Sequence, residues 1–322
     1  MRRLFLKALA ACALGAAAAV NAQPTYPNKP VKLVVPFPPG ALTDSAARLL
    51  ASELEKTWGQ TVVVENRPGA SGNVGTASVL RAQPDGYTLL FTPQQPLVLS
   101  AAVNPVLSFD AAALIPLSIV TRSTVLLVAN PKLSVNNVPE LVAYAKAHPG
   151  RLNFASTGNG STSHLSNELL GRLAGIQVTN VPYQGIAPAS MALMAGEVDL
   201  LFDSAANALA HVKAGKLKVL AVAGERRSDI LPEVATVAET LPGFVSTLWS
   251  AVAAPPGTPS PVVQQLSSDI AQALRSPAFV ERFSAMPGVE LVGGTPDETQ
   301  RLVTAERDLW AETVKAAGIK FE

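Results

Sequence analysis

A single cysteine, Cys12, stands in a chain of 322 residues. It lies in an N-terminal apolar stretch that has the marks of an export segment, so the mature chain carries no thiol. That excludes disulfides, cysteine metal sites and a cysteine nucleophile together. Histidine is almost as scarce, with three scattered copies at 148, 164 and 211, which speaks against a zinc site. Charged residues make up only 15% of the chain, and no run of Lys or Arg appears, so a nucleic-acid partner is not expected. Neither the phosphate-loop pattern nor the dinucleotide fingerprint occurs, and no cofactor is called for. No repeat at a solenoid period is visible.

What is present is apolar and proline-rich. Hydrophobic residues make up 48% of the chain and prolines number 26, a composition suited to a large core joined by many short loops. The length suggests two domains. Met1 to Lys7 is basic, Ala8 to Val20 is apolar and alanine-rich, and Val20-Asn21-Ala22 fits a small-residue cleavage site. The apolar run is shorter than the ~20 residues a membrane anchor needs. Residues 1–22 are therefore expected to be a signal peptide, and Arg2-Arg3 gives it a twin-arginine cast. Cys12 resembles a lipoprotein box, but the run stays apolar beyond it. Taking Arg2, Arg3 and Lys7 from the 25 basic residues leaves 22 against 24 acidic ones, a slightly negative mature chain.

Along the chain, short valine- and leucine-rich runs alternate with amphipathic ones. Val31 to Phe37, Thr61 to Glu65 and Tyr87 to Thr92 are expected strands. A helix after Gly40 buries Ala47, Leu50, Leu54 and Trp58, and another runs to about Arg81. Strand, helix, strand, helix, strand predicts a parallel sheet covered on both faces. A second unit opens near Thr124, with strands at Val125 to Ala129, Leu152 to Ser156, Val178 to Val181, Val198 to Phe202 and Lys218 to Ala223. Phe244 to Ala253 should return the chain. Helices starting at Ser260-Pro261, Pro277 and Pro296 should pack back on the first unit. The expected organisation is α/β, with domain 1 over 23–123 plus 251–322 and domain 2 over 124–250.

Two stretches share one architecture. Strand Val31 to Phe37 leads through Pro38-Pro39-Gly40-Ala41 into a helix with Thr43 as a cap and Asp44 in its first turn. Strand Leu152 to Ser156 leads through Thr157-Gly158-Asn159-Gly160 into a helix headed by Ser161-Thr162-Ser163. A helix start offers unpaired N–H groups and partial positive charge, and glycine lets backbone approach a ligand. Each loop taken alone is also an ordinary capped turn; facing one another across a cleft, the two become anion seats. Neither contains Lys or Arg, so backbone amides, hydroxyls and water would have to hold the anion.

The candidate ligand-binding residues are Phe37, Pro39, Gly40, Ala41, Thr43 and Asp44 from the first stretch, and Thr157, Asn159, Gly160, Ser161, Thr162 and His164 from the second. Gln94, Tyr183 and Asp203 join them because they follow strands at the same sheet edge. Asp203 serves equally well as a cap for the next helix. Trp249, on the return strand, suits hinge packing and is kept as a candidate ligand platform. His164 follows Ser161 by three residues, which admits a hydrolytic Ser–His pair, yet G-x-S-x-G is absent and no third orienting group is evident. No catalytic or metal-binding residue is assigned.

Several segments come in a characteristic order: Tyr26-Pro27-Asn28-Lys29-Pro30, Pro36-Phe37-Pro38-Pro39-Gly40, Val64-Glu65-Asn66-Arg67-Pro68-Gly69-Ala70 and Pro84-Asp85-Gly86-Tyr87-Thr88-Leu89-Leu90. After them come Gly158-Asn159-Gly160-Ser161, Val181-Pro182-Tyr183-Gln184-Gly185 and Ala254-Pro255-Pro256-Gly257-Thr258-Pro259. Over essentially the whole mature chain this series resembles the Bug-type extracytoplasmic solute receptors, the binding subunits of tripartite tricarboxylate transporters. The resemblance implies a periplasmic-binding-protein fold of type II, with two α/β domains, two crossover segments and a cleft that closes on ligand. It also implies a small carboxylate ligand (dicarboxylate, amino acid or aromatic acid), a monomer in the periplasm, and two integral membrane subunits as partners. Signalling in place of uptake would use the same fold. Ala41 stands where the family usually has a second glycine, Leu42 where a small residue is common, and Pro93-Gln94-Gln95-Pro96 where a Ser/Thr-rich stretch is usual. These departures point to a ligand with one carboxylate and a partly apolar or amide-bearing remainder.

Overall fold

The computed structural model describes residues 26–40, 42–103 and 109–318. The expected signal peptide with Cys12 and the first-loop residue Ala41 lie outside them. Valine- and leucine-rich runs form the expected early strands: β1 (Val31–Val35), β2 (Val62–Asn66) and β3 (Thr88–Pro93). Between them lie helices α1 (Leu42–Trp58) and α2 (Asn73–Leu80). Ala47, Leu50 and Leu54 of α1 are fully buried, as the 3.6-residue spacing requires. A π-helical turn, Gln95–Leu99, and the short helix α3 (Ser100–Val103) follow β3.

Two strands were not anticipated from the sequence. They are β4 (Ile115–Ser123), nine residues long, and β11 (Val289–Gly293). With β10 (Leu248–Ala254) they complete a six-stranded sheet of order β11-β4-β10-β3-β1-β2. Only β1 with β2 and β1 with β3 pair in parallel; β10 is antiparallel to β3 and β4, and β11 is antiparallel to β4. The wholly parallel sheet expected from alternating strands and helices is thus corrected to a mixed one. β4, which leaves for the second sheet, runs in the same sense as β1–β3, whereas β10, which returns from it, and β11 run against them.

The second sheet comprises β5 (Val125–Ala129), β6 (Asn153–Ser156), β7 (Thr179–Pro182), β8 (Leu200–Ser204) and β9 (Lys218–Val222), in the order β7-β6-β8-β5-β9. Its helices are α4 (Val138–Ala147), α5 (Thr162–Ala174), α6 (Ile186–Ala195) and α7 (Ala205–Lys213). Asn137, Ser161 and Ser204 cap α4, α5 and α7 by accepting a backbone N–H three residues on.

The chain passes between sheets twice. Thr124 alone separates β4 from β5; its N–H donates to the Gly288 carbonyl at 2.7 Å, and its carbonyl accepts from Ala205 N at 2.8 Å. Gly288 has φ +69°, and a Cβ there would stand 2.9 Å from that of Ala205 and 3.0 Å from that of Thr124, so the crossing is packed against bare backbone. The return runs beside it: Ser246 N donates to the Ala223 carbonyl, and Ala223 N to the Val125 carbonyl, both at 2.8 Å. The returning strand begins at Leu248, so the expected boundary at 250/251 falls inside β10.

Helices α8 (Ser260–Ala273), α9 (Pro277–Ser284) and α10 (Pro296–Ala317) start where the prolines predict. Helix α8 covers β4 beside α1, as expected. Helix α10 does more, packing on β4 of the first sheet and also on α5 of the second. No helix among the described residues is long and apolar enough to cross a membrane.

Candidate functional site

A cavity of ≈ 370 Å³ opens between the carboxyl end of β3, the two crossings and the starts of the second sheet's helices. That volume is within the range of small-molecule sites. The N-termini of four helices reach it: Thr43 and Ala46 from α1, Ser161 to Ser163 from α5, Ile186 from α6, and Ser204, Ala206 and Asn207 from α7. Unpaired N–H groups and the positive ends of four dipoles therefore converge there. The rest of the polar lining is hydroxyl and amide, from Gln94, Gln95, Thr121, Ser123, Thr157, Ser166, Ser246 and Ser250. Val125, Phe202, Leu248 and Trp249 supply the apolar wall. The lining holds no Lys, Arg or His, and Asp203 is its one charged side chain.

The second loop is held by its own hydroxyls. Thr157 N donates to Ser163 Oγ at 2.9 Å, Ser163 Oγ lies 3.1 Å from Ser161 Oγ, and Ser161 Oγ accepts the His164 N–H at 3.3 Å. Gly158 and Gly160 adopt φ +127° and +72°, which a side chain would resist. Two hydroxyl pairs brace the cavity walls. Thr121 meets Ser250 across β4 and β10, and Ser166 meets Ser246 between α5 and the return segment, each at 2.7 Å. Gln94, almost wholly buried, donates Nε2–H to Thr162 Oγ1 at 3.1 Å, from the end of β3 to the first turn of α5.

Asp203, next to last in β8, lines the cavity; the cap expected of it is supplied by Ser204 instead. Its Oδ1 accepts the Ser204 N–H at 2.7 Å; Oδ2 accepts Asn207 Nδ2–H at 2.6 Å and faces Ser190 Oγ at 3.5 Å. Burial pushes its carboxyl upward from the usual range, against the pull of the Asn207, Ser204 and Ser190 donors and nearby His211. Trp249 combines two roles. It lines the cavity while its Nε1–H donates to Glu306 Oε2 of α10 at 2.9 Å. Glu306 accepts Thr247 Oγ1–H as well, at 2.8 Å, and burial pushes its carboxyl to about 7.

Seven predicted residues thus meet at the cavity: Thr43, Gln94, Thr157, Ser161, Thr162, Asp203 and Trp249. Others stand apart from it. The helix begins at Leu42, so Thr43 is inside it and is not its cap. Asp44, also inside the first turn, reaches back to the loop, accepting from Gly40 N at 3.0 Å, and is held by Arg48 Nε at 3.0 Å and Asn66 Nδ2 at 2.8 Å. Burial would raise its carboxyl; Arg48, Gly40 and Asn66 together hold it below the usual value. Phe37 packs towards Gly72 beside Pro96, and Pro39, Gly40 and Asn159 are exposed. Tyr183 packs on the second sheet's core. His164 has its Nδ1 accepting the Gly160 N–H at 3.0 Å and its Nε2 3.6 Å from Glu168 Oε1. Ser161 Oγ meets His164 through the backbone N–H and not through the ring, so the Ser161–His164 pairing considered for hydrolysis does not occur among the described contacts.

Residues that sequence reasoning missed are chiefly single hydroxyls and amides. Ser166 lies four residues beyond Thr162, and Asn207 four beyond Asp203, so helical spacing could have found both. Thr121, Ser123, Ser246 and Ser250 carry no local signal.

Comparison with known proteins agrees with this arrangement. The family model described as "Tripartite tricarboxylate transporter family receptor" (TctC) matches residues 46–319. The protein BugT of Bordetella pertussis is 39% identical over 311 residues, covering 96% of this chain and 95% of BugT. Among solved structures, R. palustris Rpa4515 with adipate is 35% identical with a TM-score of 0.76, covering 92% of this chain and 100% of that one. MatC from Rhodopseudomonas palustris with bound malate is 34% identical with a TM-score of 0.72, covering 90% and 100%. Two mixed α/β sheets, a cavity between their strand ends and helix starts, and relatives matching over nearly their whole length lead to one conclusion: the chain belongs to the tripartite tricarboxylate transporter receptor family and has the periplasmic solute-binding fold.

Proposed function

We propose that this protein is a periplasmic receptor that captures a small carboxylate and delivers it to the integral membrane subunits of a tripartite tricarboxylate-type transporter. The observation that carries the reading is the convergence of four helix N-termini on a cavity without a cationic side chain. A carboxylate held there replaces its hydration with oriented N–H and O–H donors. Charge-assisted bonds of this kind contribute about 1.5–3 kcal/mol each. Three or four of them, less ordering costs, suffice for micromolar affinity at about −8 kcal/mol. The bound adipate and malate of the two R. palustris relatives support the ligand class.

Capture is by closure of two domains, 23–123 plus 251–322 and 124–250, about the paired crossings at Thr124 and between Ala223 and Leu248. The receptor works as a monomer, handing one ligand at a time to its partners. The test is a thermal-denaturation panel of mono-, di- and tricarboxylates, amino acids and aromatic acids. A ligand raises the melting temperature progressively with its concentration. A panel in which no carboxylate moves the transition refutes the reading.

A further inference from the structure

A second cavity, of ≈ 270 Å³, lies behind the first, across the two crossings. Extended chain turns successive side chains to opposite faces. Thr121, Ser123 and Val125 line the first cavity, while Arg122 and Thr124 turn to the second. On the return segment Leu248 and Ser250 face the first, and Val245 and Thr247 the second. Ser123, Val125 and Ser246 border both, so the crossings are the partition between them. The far wall of the second cavity is α10, with Leu302, Ala305 and Leu309. The loop after β9 closes its side. Ser228 Oγ of that loop lies 3.2 Å from Thr124 Oγ1 of the outgoing crossing.

The two cavities differ in charge. The first has no cation in its lining; the second has three arginines. Two of these have acids. Arg227 donates to both oxygens of Glu239, at 2.9 and 2.7 Å, and Arg226 lies 3.8 Å from Glu290. Arg122 is half-buried, and its guanidinium has no hydrogen bond or ion pair among the described residues. Glu306, also in this wall, is committed to Thr247 and Trp249. Glu225 and Asp229 are exposed. A guanidinium drawn out of water without an acceptor is costly, and its planar fork of donors matches the paired oxygens of an oxyanion. Val222, Val245, Leu302 and Leu309 provide apolar contact in the same cavity.

We infer that this back cavity is a second binding site, for a small oxyanion with an apolar body, such as an aryl or alkyl sulfonate, phosphate or carboxylate, whose charged end Arg122 receives, and that its occupant is linked to the solute in the first cavity. The site stands apart from the receptor reading above; only the linkage rests on it. Occupants of the two cavities press on opposite faces of Ser123, Val125 and Ser246. Glu306 walls the second cavity while holding Trp249 of the first. Closure on a solute in front spreads the face behind, so the two occupants favour the same state. Each then tightens the other, and by the same factor.

The probe is benzenesulfonate, with inorganic sulfate as the control for its apolar body and benzyl alcohol as the control for its charge. Calorimetric titration of the intact protein should show benzenesulfonate binding more tightly than either. Arg122→Gln, checked for folding by its melting curve, should weaken it at least about tenfold, and Arg122→Lys should retain part of the affinity. The response of Arg122→Gln to the carboxylate panel should match that of wild type. Benzenesulfonate that fails to bind, or binds Arg122→Gln equally well, overturns the site. Should Arg122→Gln fail to fold, wild type decides: a probe and a carboxylate that exclude one another share the first cavity, which also overturns the site. With the best carboxylate of the panel present, benzenesulfonate should bind severalfold more tightly; unchanged or weaker binding overturns the linkage. Phosphatidylglycerol vesicles that sediment the wild-type protein and not Arg122→Gln would replace the free solute with a lipid headgroup. A silent carboxylate panel removes the receptor reading and leaves the Arg122 comparison to decide the second site.

Discussion

The Gln94 side chain donates to the Thr162 hydroxyl at 3.1 Å, tying the end of a first-sheet strand to the first turn of a second-sheet helix. The bond is worth about 1 kcal/mol net, whereas the unpartnered Oε1 of the same amide costs about 1–3 kcal/mol. Gln94→Leu removes both at similar length. The melting temperature of the empty protein should therefore stay level or rise. Ligand affinity should fall by roughly tenfold as one polar contact is lost. Scanning calorimetry and titration read the two effects separately; a melting temperature several degrees lower would show that the link outweighs the orphaned oxygen.

Glu306 gives a pH dependence of definite sign. Its folded carboxyl lies at about 7, above the ordinary 4.5, so the folded protein binds more protons than the unfolded chain between those values. Stability then falls as pH rises from about 4.5 through about 7 and is level above. Glu306→Gln keeps an acceptor for Trp249 and a partner for Thr247 without the buried charge. It should be more stable than wild type at pH 8, by at most about 3 kcal/mol, and equal to it near pH 4. Melting curves of both proteins across that range test this, and parallel curves would refute it.

Gly160 has φ +72°, and its N–H reaches His164 Nδ1. Alanine in that left-handed conformation costs about 1–2 kcal/mol. Gly160→Ala should lose that much in urea denaturation and weaken ligand binding, because the loop carrying Thr157 and Ser161 shifts with it. Unchanged stability with unchanged affinity would separate the loop from the site.

Local signals made most of the fold legible. Serine and proline at helix starts located α5, α8, α9 and α10, and valine-rich runs located the early strands and β5. The long strand β4 escaped because its buried face includes Ser118 and Thr121, which blur the hydropathy of Ile115–Ser123. Those hydroxyls are tolerated inside because partners await them, Ser250 for Thr121 and the Ile119 carbonyl for Ser118. Edge strand β11 is only five residues long and half-exposed. At the site, the loop before α5 was visible from its glycines and N-cap. The brace between Trp249 and Glu306 was not, since Glu306 reads as one more acid on a charged helix. Only the packing of α10 against both sheets makes it interior.

The three tryptophans divide the molecule usefully. Trp310 is enclosed in the core, and Trp58 lies at the end of α1, bonded to Asp269. Trp249 is the one in the cavity wall, with its indole N–H fixed on a carboxylate. An incoming solute alters the polarity around a single emitter while the other two keep theirs. For the solute capture proposed above, this indole is an unlabelled optical reporter of occupancy that stopped flow can follow.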